Sequence, residues 1–69
     1  MWNDEDYGTP LGECRVTDET ESAVHIVRKH DGFSDWFPKS QIHADSECWK
    51  DGDSGVFVIS DWLAGERGL

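Results

Sequence analysis

Residues 56 to 60 read Val-Phe-Val-Ile-Ser, a run of β-branched and aromatic side chains that is apolar on both of the faces a strand presents. Such a strand needs cover above and below, and the chain that supplies it has only 69 residues. That length allows one domain, close to the lower limit at which a single hydrophobic core holds a fold without metals, disulfides or oligomerisation. Four Trp, three Phe and one Tyr raise the apolar area available per residue, so the aromatics are expected in the core first.

The rest of the chain punctuates into short strands. "ECRVT" is a candidate strand, "DETE" a polar turn, and Ser22 to Arg28 alternates as a half-buried strand should. Asp31-Gly32, set between two apolar runs, predicts a two-residue type I′ hairpin turn that returns "FSDWF" onto residues 22 to 28. Pro38 cannot donate to a ladder, so the chain leaves the sheet or follows an edge there, and "KSQIH" continues as an edge strand or one 3₁₀ turn. "ADSE" reads as a turn, "CWK" as a short strand and "DGDSG" as a further turn. The period then changes: Ser60 is an N-cap, Asp61 suits the first turn of a helix, and Trp62, Leu63 and Leu69 are placed to face the sheet. The fold class expected is mainly β (α+β): a small antiparallel curled sheet, or an SH3- or OB-like barrel, of four to five strands with one short C-terminal helix at about 61–67. Residues 1–12, acidic and without period, read as an N-terminal arm, and 13–69 as the single domain.

Charge narrows the function. Fifteen acids against six Lys and Arg give −9, a field that repels nucleic acid and anionic membrane and attracts basic partners. Only Arg28-Lys29 forms an adjacent basic pair, so direct nucleic-acid binding is disfavoured. Two cysteines, Cys14 and Cys48, are too few for a secreted disulfide scaffold and read as thiols in a reducing cytoplasm. Neither a signal peptide nor a membrane span is evident, so the reading is a soluble protein of the cytoplasm.

Catalytic and metal motifs are weak. "GDSG", Gly52 to Gly55, spells the core of the serine-protease nucleophile motif, but a triad requires a framework far larger than this chain, and a Gly-rich turn explains it. Asp51 and Asp53 resemble the start of a calcium loop without its closing Glu. Cys14, Cys48, His25, His30 and His43 lack the paired close spacings of structural zinc. No cofactor is expected, and the chain reads as a binding protein and not an enzyme. What remains are the acids: Asp4, Glu5, Asp6, Asp18, Glu19, Glu21, Asp31, Asp35, Asp45, Glu47, Asp51 and Asp53, all assigned to turns, strand ends or the arm. Carboxylates two apart on a strand lie about 6.7 Å apart, comparable with successive phosphates on one DNA strand.

"WFPKSQIH", "DSECW" and "GDSGVFVISDWLAGERGL" together resemble a pattern found in small, mostly uncharacterised phage and prophage proteins, over roughly residues 36 to 69. That resemblance implies a phage origin and action inside a bacterial host. It carries no enzyme chemistry, and the acidic N-terminal half lies outside it. By analogy of class, small acidic phage proteins include anti-CRISPR and anti-restriction inhibitors that mimic DNA. The expectation is therefore an inhibitor whose carboxylates meet the basic surface of a host protein or ribonucleoprotein complex. The alternative is an SH3-like adaptor or structural accessory module that takes a protein partner through exposed aromatics around Trp36 and Pro38. Edges left open in so small a sheet would also let it pair into a homodimer.

Overall fold

The computed structural model describes residues 8–69; Asp4, Glu5 and Asp6, and with them most of the expected arm, lie outside the described residues. Four strands, β1 (Gly8–Glu19), β2 (Ala23–Arg28), β3 (Ser34–Pro38) and β4 (Ser54–Ser60), form one antiparallel sheet in the order β3-β2-β1-β4. The sheet is curled and does not close into a barrel. A 3₁₀ turn, Lys39–Gln41, follows β3, and helix α1, Asp61–Arg67, follows β4.

β1 is the departure from the sequence reading. It starts at Gly8, inside the segment read as an arm, and runs on through the "DE" of the expected "DETE" turn. The reason is tertiary: β4 takes Gly8, Thr9 and Pro10 as partners of Ser60, Ile59 and Val58, a pairing no local pattern announces. Two register shifts, between Pro10 and Glu13 against β4 and between Val16 and Asp18 against β2, let one strand bend enough to serve both neighbours.

Both prolines sit where a missing donor costs nothing. The Val58 amide and carbonyl bond Ser46 and His43 on the far side from β1, so Pro10, opposite Val58, turns its nitrogen away from β4 and past the end of β2. The bonds Arg28 N–H to Phe33 O and Lys39 N–H to Ser22 O fix the phase of β2 against β3. Ser34, Trp36 and Pro38 therefore direct their backbone groups outward, as the reading of Pro38 as an edge residue requires.

The hairpin between β2 and β3 is not the two-residue type I′ turn. Lys29 to Gly32 make a four-residue connection in which Gly32 alone is left-handed, at φ 74°, and its N–H bonds Arg28 O. Asp31 is kept out of positive φ by its own side chain, which accepts from Phe33 N–H at 3.0 Å and forks onto Arg28. "CWK" is not a strand either. Trp49 and Lys50 give their amides to the Asp53 carboxylate, at 2.9 and 3.1 Å, closing a turn with groups a strand would spend on a ladder.

The core lies on one face of the sheet, where Leu11, Cys14, Val16, Val24, Ile26, Phe37, Phe57 and Ile59 meet Ile42, Cys48, Leu63 and Ala64. Phe37 and Phe57 pack edge to face at 5.3 Å. Val58, on the opposite face of β4, is buried too, with its methyl and the His43 ring crowding Gly8. Helix α1 covers the core from β4. Ser60 accepts from Leu63 N–H and donates to Gln41 Oε1, Asp61 accepts from Thr9 Oγ1 at 2.6 Å, and Gly68 ends the helix at φ 72°. Leu63 and Ala64 are its buried residues; Trp62 and Leu69, expected against the sheet, are exposed.

Candidate functional site

Three of the expected acids are held in ion pairs. Asp31 forks onto Arg28 at 3.0 and 2.6 Å, and this guanidinium, helped by the Phe33 amide, holds its carboxyl well below the usual carboxylate range. Glu19 accepts the Asp51 amide at 2.9 Å and Lys39 Nζ at 2.5 Å, and these bonds lower its pKa in that order. Asp35 takes Arg67 at 2.9 Å and the Trp36 amide at 2.8 Å.

Four more carboxylates have local contacts. Asp18 accepts the Glu19 amide, Glu47 the Val56 amide and Asp53 those of Trp49 and Lys50, while Asp45 lies 3.7 Å from His43 Nδ1. The carboxylates of Glu21 and Asp51 make no hydrogen bond or ion pair among the described residues, and both residues are exposed.

Their placement differs from a row along a strand. The 50–53 turn docks on the far end of β1 through Gly52 N–H to Val16 O and Val16 N–H to Asp53 O. It brings Asp51 and Asp53 beside Asp18, Glu19 and the β1–β2 turn that carries Glu21. Asp31 lies at the other end of β2, and Asp45 and Glu47 lie along β4. Asp18, Glu19, Glu21, Asp51 and Asp53 thus share one end of the sheet; Asp31, Asp35, Asp45 and Glu47 do not join them.

Both sheet edges carry plugs. Along β4, Glu47 N–H bonds Val56 O and His43 N–H bonds Val58 O, while the Glu47 carboxylate takes Val56 N–H and Ser46 Oγ takes Val58 N–H. Along β3, Asp35 takes the Trp36 amide and Arg67 donates to Trp36 O at 3.0 Å. A strand added at either edge meets backbone groups already bonded, by backbone amides and side chains along β4 and by side chains along β3.

A solvent-open groove runs beside β3, lined by Ser22, Ala23, Trp36, Phe37, Pro38, Lys39, Ser40 and Arg67. Sequence reasoning named Trp36 and Pro38 as the centre of an aromatic binding surface but missed Arg67, which arrives from the helix. Phe37 and Ile42 pack inward, whereas Trp36 and Trp49 remain about two-fifths exposed. On the outer face the Trp36 ring lies 5.3 Å from that of His25, whose Nδ1 is 2.8 Å from Thr17 Oγ1.

Among the described residues no three His, Cys, Asp or Glu come together in a ligand set. Cys14 and Cys48 are free and buried, the Cys48 Sγ lying 3.7 Å from the Cys14 carbonyl. Burial pushes the Cys48 thiol up to about 11. No helix is long and apolar enough to cross a membrane. Comparison with protein-family models, with curated proteins and with solved structures finds no match to the chain.

Proposed function

We propose that the chain is a small, non-catalytic, acidic inhibitor of phage origin. It occupies the basic nucleic-acid-binding surface of a host defence complex, with a CRISPR effector as the first candidate, in the cytoplasm of a bacterial cell. The observation that carries this reading is the surplus, among the described residues, of carboxylates without a Lys or Arg partner, four of which (Asp18, Glu21, Asp51 and Asp53) lie where the 50–53 turn meets the end of β1. The backbone bonds between the 50–53 turn and Val16 hold the segments that carry these charges side by side, so the backbone is in place before a basic groove is met.

A competition assay tests it. A CRISPR effector with its guide is mixed with labelled target DNA and increasing protein; DNA binding falls, and the effect weakens steeply as salt rises. Glu21→Lys with Asp51→Lys reduces inhibition at least tenfold while the fold persists. Unchanged DNA binding at saturating protein removes that effector as the target.

A further inference from the structure

The groove beside β3 differs from the rest of this acidic surface, because its lining residues include two cations, Lys39 and Arg67, and no acid, although Glu19 and Asp35 pair with them from just outside it. Its floor is apolar: Ala23, Trp36 and Pro38 present ring and methyl surface next to those charges. Arg67 is the more telling of the two. Its guanidinium lies 5.0 Å from the centre of the Phe37 ring and its NH1 group is fixed by Asp35 and the Trp36 carbonyl. Nε and the second terminal nitrogen make no bond among the described residues, so a positioned fork keeps donors available.

The β3 edge itself is closed to a new strand, since the Trp36 amide and carbonyl are engaged and Pro38 has no N–H. A ligand therefore meets the groove end-on, by a side chain and a charge, and not by a backbone ladder. A polyanion such as nucleic acid meets repulsion from a molecule of net charge −9, whereas one carboxylate meets little. We infer that this groove binds the C-terminal residue of a partner polypeptide, its free carboxylate on Arg67 and its apolar side chain against Trp36 and Pro38. The groove borders the acidic cluster at the start of β2, where Glu19 is the partner of Lys39, but the inference rests on Arg67, Trp36 and Pro38, and the acidic-surface proposal on the carboxylates of Asp18, Glu21, Asp51 and Asp53.

Amide-correlation NMR on the full chain tests it with an acetylated Gly-Gly-Gly-Phe peptide bearing a free carboxylate, the same peptide as its C-terminal amide, and a four-residue oligothymidylate. The free acid is expected to shift the Trp36 indole and Arg67 Nε signals saturably, with the amide at least tenfold weaker and the oligonucleotide without effect. Arg67→Gln abolishes the response, and Arg15→Gln, on the opposite side of the sheet from the core and away from the groove, leaves it unchanged. Equal binding of acid and amide, preference for the oligonucleotide, or no saturable shift with wild-type protein overturns the proposal. The acid-against-amide contrast needs no variant, so it stands even where Arg67→Gln loosens the helix.

Discussion

Asp31 illustrates how single carboxylates here serve the fold first. Its pKa is depressed by Arg28 and the Phe33 amide, so its stabilising contribution is present above the unfolded value near 3.8 and is lost as pH falls through the lower folded value. Asp31→Asn should therefore melt at a lower temperature than wild type at pH 7. The gap should persist at pH 3.8 and close only below it, as followed by thermal denaturation monitored by circular dichroism. A gap already closed at pH 5 would mean that the fork contributes nothing in solution. Using the difference between the two proteins removes the general effect of protonating all the other acids.

At the scale of elements, α1 offers a direct test of local propensity. Gly65 lies inside the helix without positive φ, and a Cβ added there meets nothing within 4 Å. Gly65→Ala should raise stability by roughly 0.5 to 1 kcal/mol, read from urea unfolding. Elements of this kind were legible in the sequence: β2 from its alternation, β3 as the return of a hairpin, the end of β3 from Pro38, α1 from Ser60 and Asp61. What escaped were features decided by distant partners. The first half of β1 exists because β4 pairs with it; "CWK" is a turn because Asp53 captures its amides; Trp62 is exposed because Leu63 and Ala64 are the helix residues that meet the core. The candidate site divided in the same way. That the acids fall mainly in turns and strand ends was visible, but the bonds joining Glu19 to Lys39 and Asp51, and Asp35 to Arg67, cross 20 to 32 residues and leave no local trace.

For the whole molecule, the charge of −9 on a small sheet is a standing cost to compactness, because among the described residues three ion pairs with Lys or Arg engage only a few of the carboxylates. Salt screens that repulsion over about 3 Å at 1 M, so the melting temperature should climb as sodium chloride rises from low to molar concentration. A falling profile would show that the ion pairs outweigh the repulsion. The sheet order has a separate consequence for how the fold is reached. β1 lies between β2, which follows it directly, and β4, which arrives only after the hairpin, the 3₁₀ turn and the long irregular segment. The hairpin of β2 and β3 can zip early, but the second side of β1 waits for the last strand, so the commitment to fold rests on closing one long loop. Until that closure the apolar side chains of Val56 to Ile59 have no sheet to join, and a chain caught at this stage is the one exposed to aggregation.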